Sequence, residues 1–463
     1  MEAGLDSVTE GGNKLPSWRF HIENLGCITS GDFEVKPLTL LCGPNNTGKT
    51  WAMYALYGFL ANSYNILSVL PLPGIDGILK KITKKGIYSW DFGTWLDTYA
   101  DDLLGIINQG MQKRLPEIFN APNHLFSNSR YDWVIDREKF VQSGINRSLK
   151  VEFGIGANSL GLSLLKDCGE PNLQITLLSE EFPDLKFFIT SVLLAHLLGE
   201  KNTCFLLPTE RNGLNIFYKE LAYKRTALFH PSTRGNLSLA DISDYPEPIA
   251  NYIDWLNKIP ELIKLKTKDY HSLAGQVETM VNGNYAVDTL GNVSFSPEIS
   301  GESLDLHLSS STVKSLFGLW FYLEHEAKRG DTLMIDEPEL NLHPSNQRAL
   351  ARLLAGLANA GLRVVVSTHS DYIVREINSL IMLHQPHPKR NELMQRYGYH
   401  EGEILKPEKV GCYLFDQSTI KPMEITQDEG ILATTFDEII HDLNDTSDNI
   451  YYTYRETNDE AVV

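Results

Sequence analysis

Eight residues near the start of the chain carry the sharpest chemical signal. Gly43, Pro44, Asn45, Asn46, Thr47, Gly48, Lys49 and Thr50 fit G-x-x-x-x-G-K-[ST] at every position. The glycines of such a loop let backbone N–H groups close around phosphate oxygens. The helix that starts there adds its positive end. Lys49 is placed to reach the β and γ phosphates of ATP, and the Thr50 hydroxyl to ligate Mg2+. Trp51 follows directly and is grouped with the nucleotide-binding residues. The plain alternative is a glycine-rich turn before a helix. A strand before the loop and a helix after it favour the phosphate reading.

Two further segments supply acid–base groups. Leu333–Ile335 is an apolar run that stops on Asp336 and Glu337. Asp336 is placed to hold magnesium and Glu337 to polarise an attacking water. Glu339 reads as a surface or interface charge. Val364–Val366 leads through Ser367 and Thr368 to His369, which could sense a γ-phosphate. A lone histidine at a strand end is more often structural. This one follows the Asp-Glu strand by about 30 residues with one helix between, a spacing that favours a functional role.

The elements that must position these groups alternate strand and helix. Strands are expected at Trp18–Leu25, Ile28–Val35 and Leu38–Cys42, punctuated by Gly26 and Lys36–Pro37. A helix follows from Lys49 to about Leu60. Residues 61–147 read as mainly helical. Strands return at Ser148–Gly154, Ser159–Leu165, Asn172–Leu178 and Thr203–Leu207. Amphipathic helices fit Asn212–Leu228 and Glu247–Leu265. Short strands at 285–287 and 293–295 precede a helix from about Ser311 to Lys328. The Asp336 strand, a helix at Pro344–Asn359, the His369 strand and another helix come next. Such alternation predicts an α/β fold with catalytic groups at the carboxyl ends of the strands.

Bulk properties narrow the class. The 463 residues allow a large core in two lobes, and the net charge of −18 argues against a simple basic nucleic-acid binder. Lys80, Lys81, Lys84 and Lys85 form one local basic patch, or a solvated helix end. Five cysteines lack metal-ligand spacing and suit a reducing cytoplasm. The polar segment 1–16 is expected to be flexible and lacks a signal core. The greasiest run, Phe187–Gly199, is too short to span a bilayer and reads as a buried helix, so no membrane association is expected. Residues Glu401–Val463 hold 15 Asp and Glu against 4 Lys and Arg, a net of −11. Val410–Phe415 with Ile420–Ile425 suggests a hairpin there, and Phe436–Leu443 a short helix.

Gly43–Thr50, Ile335–Pro344 and Ser367–Ser370 together resemble the ABC-type ATPase head of SMC, RecF and OLD-like proteins. The run D-E-P-E-x-x-L-H-P, here Asp336–Pro344, is characteristic of the OLD-like branch. The resemblance implies a P-loop head of mixed sheet flanked by helices, made from residues 17–60 and 285–390. It leaves a mainly helical inserted lobe at 61–284, some of whose strands belong to the head. A small acidic α+β docking or regulatory element remains at 391–463. It implies two heads sandwiching ATP, each offering a signature loop to its partner. Leu308–Lys314 matches that loop, with Ser309, Ser310 and Ser311 as candidates for the partner's γ-phosphate. The usual glycine is absent, and a serine-rich helix cap is the alternative. Asn341 and His343 resemble the dimer-contact loop. Leu207–Gly213 resembles a loop of related defence ATPases, where Arg211 would contact nucleotide or partner, or merely close a turn.

No acidic Toprim pair stands in residues 386–463, and no sustained heptads suggest a coiled-coil arm. The expected function is therefore an ATP-hydrolysing switch. It would act as a homodimer or higher oligomer that controls a separate effector, a nuclease or toxin, in bacterial anti-phage defence. A RecF-like DNA-binding ATPase and a nearly inactive nucleotide-binding scaffold are the alternatives.

Overall fold

The computed structural model describes residues 18–67, 71–154, 160–178, 184–198, 203–228, 245–265, 267, 269–299, 301–432 and 445–451. Three strands open the chain at the bounds expected from sequence: β1 (Trp18–Leu25), β2 (Ile28–Val35) and β3 (Leu38–Cys42). β1 alternates, with Trp18, Phe20 and Ile22 buried and Arg19 exposed, the signature of a strand covered on one face. β3 is buried at all five positions, as a strand covered on both faces must be. The phosphate loop then leads into α1 (Lys49–Leu67).

The stretch expected to be mainly helical contains α2 (Ile75–Lys85), α3 (Phe92–Ile118) and α4 (Arg137–Ile145), but also two strands. These are β4 (Ile87–Asp91) and β5 (Arg130–Val134). Both sit at the end of a sheet, where charged and polar side chains alternate with aromatic ones and mask a short strand in the sequence. The four lysines of the basic patch lie exposed along the last turns of α2. β6 (Leu149–Gly154), β7 (Leu160–Lys166) and β8 (Asn172–Leu177) join β4 in a separate antiparallel sheet ordered β4-β8-β7-β6. α5 (Leu185–Leu198) is the apolar run, and it is a buried helix.

The chain returns to the main sheet with β9 (Cys204–Leu207), followed by α6 (Arg211–Leu228), α7 (Glu247–Asn257) and α8 (Ile259–Leu262). α9 (His271–Val281) was not anticipated from sequence. β10 (Gly283–Val287), β11 (Val293–Pro297) and β12 (Leu304–Asp305) form a small sheet. Next come α10 (Ser311–His325), β13 (Thr332–Asp336), α11 (Pro344–Ala360), β14 (Arg363–Thr368) and α12 (Asp371–Met382). After α13 (Arg390–Tyr397), strands β15 (Val410–Asp416) and β16 (Thr419–Pro422) form the expected hairpin. Gln417 and Ser418 turn it with φ of 47° and 61°, the paired positive values a two-residue hairpin favours. The helix expected at Phe436–Leu443 lies outside the described residues.

The hairpin does not stand apart as a docking element. It forms the seam of the main sheet, whose order is β5-β1-β2-β16-β15-β3-β14-β13-β9. β15 pairs parallel with β3, and β16 pairs parallel with β2. Five strands, β15, β3, β14, β13 and β9, run parallel; beyond them β16 and β2 run together in the opposite direction, and β1 and β5 continue the wing in antiparallel pairs. Register sets the functional edge. Asp336 stands opposite Ser367, Thr368 opposite Cys42, and Ile335 opposite Leu207. The phosphate loop, the Asp-Glu turn, the histidine and the β9–α6 loop therefore leave the sheet side by side. None of the described helices is long and apolar enough to cross a membrane.

Candidate active site

The phosphate loop is shaped by positive φ and by what packs beneath it. Gly43 sits at φ 141° and Gly48 at φ 104°, both in the region open to glycine. A Cβ on Gly43 would meet the Phe415 carbonyl of β15 at 2.2 Å, and one on Gly48 would meet Ile28 at 2.5 Å. The loop thus leans on the hairpin seam and on β2 at positions where only glycine fits. Thr47 Oγ1 donates to Pro44 O at 2.9 Å and tightens the turn. Lys49 is buried, and its Nζ donates to Gly43 O at 2.9 Å and Pro44 O at 2.7 Å, so the ammonium lies inside the loop. Burial lowers its pKa, with Glu337 and Asp336 opposing the shift. Trp51 points away into packing: its ring stacks on Phe119 at 4.4 Å and fills the space above Gly26.

Asp336 ends β13 with no exposed surface. Three hydroxyls meet its carboxylate. Thr50 Oγ1 and Thr209 Oγ1 each donate to Oδ2 at 3.1 Å, and Ser367 Oγ donates to Oδ1. Thr50 and Asp336, an alcohol beside a carboxylate, form the oxygen donor set a hard divalent cation takes. The cradle and this donor set fit a nucleotide triphosphate with magnesium. Thr209 and Ser367 escape the sequence reading because only strand register brings them to Asp336.

Glu337 begins the turn after β13 with φ 47°, a left-handed backbone rare outside glycine. Its N–H is bound by Ser367 through both O at 3.2 Å and Oγ at 3.0 Å. Burial raises its carboxyl pKa and neighbouring Asp336 adds to the rise, while His369 and Lys49 pull it down. Glu210, on the β9–α6 loop, is also raised by burial, with Asp336 adding to the rise.

Glu339 is a correction to the sequence reading. It is 6% exposed, not a surface charge. Its Oε1 accepts from Thr368 Oγ1 and from the His369 N–H, both at 2.8 Å, and lies 3.3 Å from His369 Nδ1. Nδ1 also lies 3.9 Å from Glu337 Oε1. The turn folds back onto the end of β14, which no local pattern announces. Arg211 likewise is buried within the chain.

The serine loop leads into α10. Ser310 caps α10 by accepting from Val313 N at 3.3 Å, the cap alternative anticipated from sequence. No hydrogen bond among the described residues joins Ser309, Ser310 or Ser311 to residues 43–50. Thr312 Oγ1 donates to Asn341 O at 2.7 Å and ties α10 to the loop after the carboxylates. His343 caps α11 by accepting from Ser345 N.

Residues 178–374 match the family described as the AAA ATPase domain. The matched span contains the Asp336–Glu337 turn, His369, Arg211 and α10; the phosphate loop lies upstream of it. No curated protein matches the chain. Among solved structures, similar chains include the SMC head domain from Thermotoga maritima, at 9% identity and TM-score 0.31. That match covers 89% of this chain and 100% of that one. Another is an Smc head domain with an extended coiled coil bound to the C-terminal domain of ScpA, derived from Pyrococcus furiosus. It stands at 10% identity and TM-score 0.34, covering 93% and 99%. A third is an SmcHead bound to the C-winged helix domain of ScpA, at 10% identity and TM-score 0.31, covering 78% and 92%. With the AAA match, the sheet order and the loop geometry give the chain an α/β fold of the P-loop ATPase-head kind.

Proposed function

We propose that the chain binds ATP with magnesium, hydrolyses it, and uses the bound state as a switch between paired and separate heads. One observation carries this reading: Lys49, Thr50, Asp336, Glu337 and His369, from three separate segments, meet at one edge of one sheet. The Gly43–Thr50 backbone and Lys49 would hold the phosphates. Thr50 and Asp336 would hold magnesium, which supplies charge neutralisation at the phosphates when bound. Glu337, made more basic by burial, would accept the proton of the attacking water. Glu339 occupies the Nδ1 side of His369, so Nε2 is the ring atom left to meet a phosphate oxygen.

The finer reading follows the D-E-P-E-x-x-L-H-P resemblance. Two copies would close on ATP with α10 and its serine cap facing the partner's phosphate loop. The closed pair would restrain or release a separate nuclease or toxin in anti-phage defence. Glu337→Gln is expected to retain ATP, to slow phosphate release about 100-fold or more, and to accumulate ATP-dependent dimers in light scattering. Normal turnover would remove Glu337 from the role of base. Copurification of neighbouring gene products with and without ATP tests the effector.

A further inference from the structure

Arg211 opens α6, yet its side chain turns inward and is 2% exposed. All of its hydrogen-bond partners are neutral. Nη1 donates to Pro208 O at 3.0 Å and Asp336 O at 2.8 Å, Nη2 to Glu337 O at 2.8 Å, and Nε to Ser315 Oγ at 3.2 Å. Among the described residues no carboxylate pairs with it. Burying a cation without a bonded counter-ion is costly, and packing alone would favour an apolar residue of similar volume. The guanidinium instead spends its fork on main-chain oxygens of the Asp336–Glu337 turn.

That turn needs an outside hold. Glu337 occupies a left-handed backbone that a side chain disfavours, and such a conformation persists only where its surroundings over-determine it. Ser367 fixes its N–H from β14. Arg211 fixes the carbonyls on either side of that residue's φ and ψ. Ser315, which Arg211 bonds, donates onward to Leu340 O at 3.3 Å and grips the far end of the same turn. Asn215, one helical turn along from Arg211, donates to Lys314 O at 2.7 Å and is itself bonded by Tyr252. The brace is thus anchored in α6, α7 and α10 at once.

We propose that Arg211 is the positioning residue for Glu337. Its planar guanidinium, bonded to the Asp336 and Glu337 carbonyls and braced on Ser315, holds the strained turn so that the Glu337 carboxylate stays beside His369. The proposal rests on the reading of Glu337 as the group that polarises water. Lysine keeps the charge but cannot span carbonyls on two sides and a serine with one rigid fork.

The test compares wild type, Arg211→Lys, Glu337→Gln and the double variant. Each is measured for steady-state phosphate release, equilibrium ATP binding and melting temperature. Arg211→Lys is expected to lower kcat at least about tenfold, with ATP affinity held within about threefold and a cooperative melt retained. In the Glu337→Gln background the same change is expected to lower the residual rate by less than about twofold, because the group it positions is already gone. A wild-type kcat in Arg211→Lys would overturn the proposal. So would an equal loss in both backgrounds, or loss of ATP binding or of the folded state, which would make Arg211 a scaffold residue. Normal turnover in Glu337→Gln would sink the reading of Glu337 and the proposal with it. A slowed Glu337→Gln beside an unaffected Arg211→Lys would sink the proposal alone.

Discussion

The nine-stranded main sheet with its helices (the head) and the four-stranded sheet with the helices beside it (the lobe) both bury positive charge, and they use it differently. In the lobe, Arg147 donates to His196 O at 2.8 Å and Leu197 O at 3.2 Å, carbonyls in the last turn of α5. Lys166 donates to Ile145 O, which ends α4, and to Arg147 O at 2.7 Å. Such carbonyls lack helical partners and carry the negative end of the helix dipole, so these cations act as caps. Burial pushes the Arg147 pKa down to about 10 and that of Lys166 to about 8. In the head, Lys49 and Arg211 also bond carbonyls, but those carbonyls belong to loops that carry Thr50, Asp336 and Glu337. Buried cations therefore do not mark chemistry by themselves. They do so where strand ends deliver carboxylates to the same place.

The contrast predicts opposite phenotypes. Asp336→Asn keeps the shape but replaces one accepting oxygen with an NH2 donor, so the hydroxyls on that side must accept instead, and it loses the charge needed to hold a cation. It is expected to cut phosphate release by about 100- to 1000-fold while the melting temperature stays near that of wild type. A turnover that survives would separate Asp336 from the metal. In the lobe, His196 donates its proton from Nε2 to Gly144 O at 2.8 Å, and burial lowers its pKa to about 4. The unfolded chain takes up that proton near pH 6.5 and the native chain does not. Stability from this group is thus complete above pH 6.5 and declines as pH falls toward about 4. His196→Gln is expected to lose roughly 2 kcal/mol less stability than wild type between pH 6.5 and 5. Denaturant titrations at the two pH values measure it, and turnover per folded molecule at pH 7 is expected to be unchanged. Identical pH slopes would place His196 in a wetter setting than its burial indicates.

Much of the head was legible because its signals are local. Gly26 and Pro37 punctuate β1 to β3, and an apolar run stopping on Asp336 marks β13. What sequence hides is register and long-range pairing. Ser367 and Thr209 reach Asp336 only because β14 and β9 flank β13. Glu339 reads as surface until its turn folds against Thr368. The hairpin after Val410 is readable, but its place is not. It pairs with β3, and Cys42 and Cys412, 370 positions apart, bring their sulfurs within 3.6 Å. The acidic composition of this segment hid the place of its strands in the main sheet, not the strands themselves.

Calorimetric titration of MgATP into wild type and Lys49→Ala tests the nucleotide site most directly. Wild type is predicted to bind one ATP per chain, and Lys49→Ala to bind at least about 100-fold more weakly with an unchanged melting temperature. Equal affinity in the two chains, or no binding by wild type, would contradict it.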